Sequence, residues 1–175
     1  MDPVLARSLE HLEASRRRAL GVVDGLPHAA LNRPPAPGKW SALQVLHHVV
    51  TAEALTQLYV RKKMQAGATL EKAGPASRLR LLAVQVTLAL PLRFKAPATT
   101  GDVPAESELP ALRSRWDEVR RSLEDLVRTF PPELLDRLVF RHPYAGRMSL
   151  AHGLGTLEAH LDHHIPQVKR ALAGD

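Results

Sequence analysis

The chain of 175 residues contains nine histidines and no cysteine, so imidazole dominates the metal-ligand chemistry it offers. His160 and His164 are four residues apart, and on a helix both would project from one face about one turn apart. Two imidazoles at that spacing can direct ring nitrogens at one metal ion about 2.0–2.1 Å away. Such a pair also arises by chance, so a metal site needs a third ligand from another helix.

Two adjacent histidines on a second predicted helix, His47 and His48, are candidates for that ligand. Each shares a helical stripe with apolar residues, so periodicity does not choose between them. His48 lies about 10 Å along the helix axis from a start at Ser41, and His164 lies about 12 Å before Leu172 near the chain end. If the two helices are antiparallel, these levels coincide at one end of the fold.

The alternative interpretation is that these histidines are hydrogen-bonded core residues, which is the common fate of a buried imidazole. A scaffold of that kind would bind no metal. Three neutral histidines with a free coordination position are, in contrast, typical of a catalytic metal site. Because the chain has no cysteine, thiolate ligands and cysteine nucleophiles are excluded, and any thiol in a reaction would have to be a cosubstrate.

Four long amphipathic patterns predict the helices that would position these residues. They cover about 2–25, 41–65, 108–130 and 149–172. Asp2 followed by Pro3 predicts the first start, and Ser41 with Gln44 three residues later predicts a capping box at the second. A shorter helix is expected at about 76–90, and no strand pattern is convincing. The chain is therefore expected to be all-α, a four-helix bundle within a single domain of residues 1–175.

The connection over residues 66–105 is long enough to carry the chain back along the bundle. The second and third long helices would then be parallel, and the fourth would be antiparallel to the second. The expected topology is up-down-down-up, with the extra short helix inside the long connection.

Charge and hydropathy restrict the classes of partner. The net charge is +6, but the basic clusters lie near acidic residues in helical patterns, and only seven aromatic residues are present. We therefore expect no nucleic-acid partner. No secretory signal or membrane-length apolar run is visible, so we expect a cytoplasmic protein that does not enter membranes. The helix around residues 79–92 is apolar on more than one face, which predicts a homodimer unless the helix is buried within the chain.

Three ordered motifs resemble those of the DinB-like (YfiT-like) family of four-helix-bundle proteins, which are classed as metalloenzymes. They run from the second helix to the C-terminus: Gly38-Lys39-Trp40-Ser41-x-x-x-Val45-Leu46-x-His48-x-x-x-x-Glu53, Phe140-x-His142-Pro143-x-x-Gly146-x-x-Ser149-Leu150 and His160-x-x-x-His164-x-x-Gln167-Val168. The resemblance implies a metal triad of His48, His160 and His164, and it selects His48 over His47.

The resemblance also implies one divalent metal ion per chain. Nickel and zinc are the first expectations, followed by manganese and iron. Relatives of this kind are often dimers, and several are implicated in transfer of low-molecular-weight thiols, which suggests a small-molecule thiol substrate. The alternative is a non-catalytic metal-binding or stress-response module. Glu53 is expected in a helix-surface or inter-helix salt bridge rather than as a base, and His142 in packing and capping the turn before the fourth helix.

Overall fold

A computed structural model describes residues 1–90 and 103–174 of the chain. Its helices are α1 (Pro3–Val23), α2 (His28–Asn32), α3 (Ala42–Met64), α4 (Pro75–Ala89), α5 (Leu109–Arg128) and α6 (Leu150–Ala173). Two 3₁₀ turns, Gly67–Thr69 and Pro132–Leu134, and two strands, β1 (Phe140–His142) and β2 (Gly146–Met148), complete it. The four long helices predicted from the sequence are α1, α3, α5 and α6.

Side-chain caps fix where three of these helices begin. The Asp2 carboxylate accepts hydrogen bonds from the amides of Val4 and Leu5 at the start of α1. Ser41 and Gln44 form the predicted capping box, in which each side chain accepts from the other residue's backbone amide, at 3.3 and 3.0 Å. The Ser149 hydroxyl accepts from an amide in the first turn of α6. Because α3 and α6 carry the candidate ligands, their caps fix how far along each helix the ligands lie.

Contacts along the helices establish the up-down-down-up topology. Helices α3 and α5 are parallel, since His47 contacts Arg115 while Arg61, further along α3, contacts Ser122 further along α5. Helices α1 and α5 are antiparallel, with contacts Arg16–Asp117 and Asp24–Arg113. Helices α1 and α6 are parallel, with contacts His11–Glu158 and Arg18–Asp162. It follows that α3 and α6 are antiparallel, as the site requires.

The expectation that the chain has no strands is wrong at residues 140–148. There β1 and β2 pair as an antiparallel hairpin in which Phe140 is opposite Met148 and His142 is opposite Gly146. Gly146 adopts a positive φ of 85°, which a residue with a side chain rarely does. The ring of Phe140 packs against Gly153 of α6, where a Cβ would collide with it. Three-residue strands are too short for an alternating pattern to reveal them.

The short helix α4 packs one face on α6 and leaves another open. Val84 is buried, and Leu81 lies against Gly155 of α6. A second set of apolar residues on α4 and at its end is exposed: Leu79, Leu82, Val86 and Leu90. The helix predicted at about 76–90 is confirmed, and residues 91–92 of the apolar segment lie outside the described residues. None of the described helices is long and apolar enough to cross a membrane.

Candidate metal centre

The structure brings His48, His160 and His164 together between α3 and α6. His48 lies two turns after the capping box of α3, and the other two lie one turn apart on α6. Their candidate ligand atoms are all within 4.8 Å of one another. The antiparallel arrangement of α3 and α6 therefore produces the convergence that the sequence predicts.

Two of the distances among the three Nε2 atoms are close to those of a tetrahedral metal site. His48 Nε2 is 3.3 Å from His160 Nε2, and His160 Nε2 is 3.0 Å from His164 Nε2. Nitrogen ligands at 2.0–2.1 Å from one ion, separated by tetrahedral angles, lie about 3.3–3.4 Å apart. A small inward or outward movement of the rings would accommodate an ion, so the backbone already holds the helices at the required separation.

Burial keeps all three rings neutral, which is the form that binds a metal. His48 is 3% exposed and His164 is 9% exposed. Desolvation, followed by the proximity of His48, lowers the pKa of His164 to about 3. Desolvation and the neighbouring His164 and His48 rings hold the pKa of His160 well below its usual value. Desolvation, together with His47, lowers the pKa of His48. Each Nε2 can therefore present a lone pair at neutral pH.

A second residue on α6 orients one of the rings. His164 Nδ1 lies 2.7 Å from the Gln167 side-chain oxygen, so Nδ1–H donates to it and Nε2 is left with its lone pair toward the cluster. Hydrogen bonds of this kind to the second nitrogen are typical of metal-ligating histidines. The sequence motif contained Gln167 without suggesting this role, although its position three residues after His164 is the spacing that permits the contact.

The arrangement favours a metal over the alternative of a hydrogen-bonded core cluster. A neutral imidazole has one N–H, and His164 uses its own for Gln167. In the part of the chain described, His48 Nδ1 is buried without a hydrogen-bond partner, although its Nε2 faces His160. His160 Nε2 faces the Nε2 atoms of both His48 and His164, and a single N–H cannot serve both contacts well, whereas one shared ion would accept a lone pair from all three.

A comparison of most of the chain with known protein families shows which family it belongs to. The family model of the DinB superfamily matches residues 11–168, which include all three histidines. The chain belongs to the DinB superfamily. Among solved structures, it is similar to TT2238, described as a four-helix bundle protein, with 24% identity and a TM-score of 0.57 over 94% of this chain and 98% of that one. That similarity supports the fold alone. A search of curated proteins found no match.

His47, the rejected alternative on α3, points into a different environment. Its Nε2 is 2.8 Å from Arg115 Nη1 on α5, and Arg115 also donates to Thr51. Desolvation and the Arg115 charge lower the pKa of His47. Periodicity had left both residues open, and the structure places His47 outside the cluster of this DinB-superfamily protein. The resemblance therefore selected the residue that reaches the other two histidines.

Glu53 forms an inter-helix salt bridge, as expected, but in the core rather than at the surface. Its carboxylate accepts from Arg120 at 2.8 Å and from the Trp116 indole at 3.1 Å, and the residue is 1% exposed. Burial raises the pKa of Glu53, while Arg120 and the Trp116 hydrogen bond act in the opposite direction. Both oxygens are engaged, so Glu53 joins α3 to α5 and is not a base for the metal site.

Two histidines near the hairpin have structural contacts. His142 Nδ1 accepts hydrogen bonds from the backbone amides of Tyr144 and Ala145, at 3.3 and 3.1 Å, which is the turn-capping role expected for it. The Nδ1 atom of His152 lies 2.7 Å from the Ser77 hydroxyl and 3.1 Å from the Ser149 hydroxyl. Those contacts join α4 to the start of α6, and only the fold brings their members together.

Proposed function

We propose that this DinB-superfamily chain binds one divalent metal ion through His48, His160 and His164 and transfers a low-molecular-weight thiol to a small electrophile. The observation that carries the proposal is the convergence of three neutral Nε2 atoms at distances suited to one ion. Three imidazoles leave a position free for a substrate. Imidazole ligands suit nickel and zinc, and also iron, whereas manganese favours oxygen ligands.

The chain's own residues have limited roles in such a reaction. The three histidines would act as ligands, because their nitrogens face the ion rather than a proton to be moved. Bound there, a divalent ion would favour the thiolate form of a thiol at neutral pH. The sulfur would form a bond to the electrophilic carbon, and the thiol proton would pass to solvent. In a substitution the leaving group would depart with the electron pair of its bond to that carbon, and in an addition the π pair would move onto the electrophile. No cysteine exists to replace the external thiol.

We further propose that a second copy of the chain covers the exposed stripe of α4. Leu79, Leu82, Val86 and Leu90 are separated by three, four and four residues, the spacing of one helix face, and are 48–65% exposed. The stripe is uncharged and about 17 Å long, so it can pack against the same stripe across a two-fold axis. A stable interface buries about 800 Å² per partner, so flanking residues would have to contribute as well.

The test of activity is a screen with defined metals and a matched inactive variant. Protein is loaded with nickel, zinc, manganese and iron in turn, and thiols are assayed against model electrophiles. We expect at least one combination to exceed the rate of His160→Ala clearly, and His47→Ala to retain the wild-type rate. If no combination exceeds the rate of His160→Ala, the thiol-transfer proposal is wrong and the chain is better regarded as a non-catalytic metal-binding module.

A further inference from the structure

His142 has one ring nitrogen committed to the hairpin turn and the other available. Backbone amides only donate, so the two that contact Nδ1 require it to be unprotonated. Burial lowers the pKa of His142, which keeps the ring neutral. The remaining proton must then reside on Nε2. The turn therefore fixes Nε2–H as a hydrogen-bond donor, and no residue in the described ranges accepts a hydrogen bond from it.

The position of β1 places this donor beside the metal centre. Strand β1 packs against both helices that carry the triad, α3 and α6. His142 and Phe140 are two residues apart on the strand and share one face, and the Phe140 ring lies against Gly153 of α6. On the same helix, Gly153 precedes His160 by seven residues, which is about 10 Å along the helix axis. Strand β1 therefore packs on α6 within about two turns of the triad.

We propose that His142 is a positioning residue whose Nε2–H donates a hydrogen bond to an oxygen of the electrophile held at the triad. This role rests on the proposed function, and it restricts the class of electrophile that the site would accept. A neutral N–H stabilises an oxygen that gains negative charge as a bond to carbon forms. The electrophile would then be a carbonyl-conjugated acceptor. In that addition, the thiol loses its proton, sulfur bonds to carbon, the displaced π pair moves onto the oxygen, and a proton is finally taken up at the neighbouring carbon.

The two functions of the ring can be separated by two conservative variants. In His142→Asn, the side-chain oxygen replaces Nδ1 as the acceptor for the turn, as in an Asx-turn, but no donor remains at the Nε2 position. In His142→Gln, the longer amide restores an N–H near that position and loses the turn acceptor. A purely structural His142 would therefore be replaced better by Asn, whereas the proposed donor would be replaced better by Gln.

The test uses acetate as an oxygen-anion probe of the cobalt(II)-loaded protein, followed by visible absorption. We expect acetate affinity to fall about 3- to 10-fold in His142→Asn, with cobalt affinity and thermal stability close to wild type. His142→Gln should recover most of that affinity while melting at a lower temperature. In the metal-free wild-type protein, nitrogen chemical shifts should show the His142 proton on Nε2.

The possible failures are distinguishable. Wild-type protein that binds no cobalt contradicts the proposed function and, with it, this role of His142. Normal cobalt binding with equal acetate affinity in wild type and His142→Asn contradicts the role of His142 alone. A proton found on Nδ1 of His142 contradicts it as well, since Nε2 would then have no hydrogen to donate.

Discussion

Replacing His164 with leucine tests whether the triad is held neutral by burial. In metal-free protein, the His164 pKa is lowered to about 3, whereas an unfolded histidine titrates near 6.5. At pH values between these two, His164 is protonated in the unfolded chain and neutral in the folded chain, so the free energy of unfolding decreases as the pH falls below about 6.5. A pH of 5 is about 1.5 units below the pKa of the unfolded histidine. At 1.36 kcal/mol per unit, the neutral His164 alone therefore lowers the unfolding free energy by about 2 kcal/mol at that pH.

The assay is urea unfolding of metal-free wild type and His164→Leu at pH 7 and pH 5. The wild type should lose about 2 kcal/mol more than the variant between the two pH values. His48 and His160 also lie against this ring and have lowered pKa values, so the variant should still retain some acid sensitivity from the cluster. Leu58, an exposed residue of α3 that does not titrate, provides the control, and Leu58→Ala should keep the wild-type slope. Equal pH slopes in wild type and His164→Leu would show that His164 is not held neutral in the fold.

Two further predictions concern the core and the assembly. Arg120→Met leaves the Glu53 carboxylate buried without its charged partner, so the unfolding free energy measured in urea should fall by about 3–5 kcal/mol, and a loss under 1 kcal/mol would contradict this account of the pair. Val86→Glu places a charge in the exposed stripe of α4, so light scattering at micromolar concentration should show a dimer for wild type and a monomer for the variant. A monomeric wild type would contradict the proposed dimer.

Local chemistry made much of the fold predictable. The residue types at Asp2 and Ser41 predict helix N-caps, and the structure has both caps. The length of the connection between the second and third long helices predicted their parallel arrangement, and the contacts from His47 and Arg61 to α5 confirm it. These features depend on neighbouring residues or on chain length, which is why they can be obtained without coordinates.

Features that depend on distant contacts could not be predicted. The hairpin at 140–148 consists of three-residue strands and is held by the packing of Phe140 on Gly153, which no periodicity shows. The salt bridge of Glu53 was expected, but its partner on α5 was not identifiable. Likewise, the tautomer of His142 follows from two backbone amides in a turn whose geometry the sequence does not specify.

The most direct test of the metal site is elemental analysis of protein purified without a histidine tag. We expect about one divalent ion per chain in the wild type, with nickel or zinc the most abundant. His48→Ala, His160→Ala and His164→Ala should each lose most of it, while His47→Ala, adjacent to a proposed ligand but outside the cluster, should retain it. Metal content that is negligible in the wild type, or that is unchanged in all three triad variants, would contradict the assignment of these histidines as ligands.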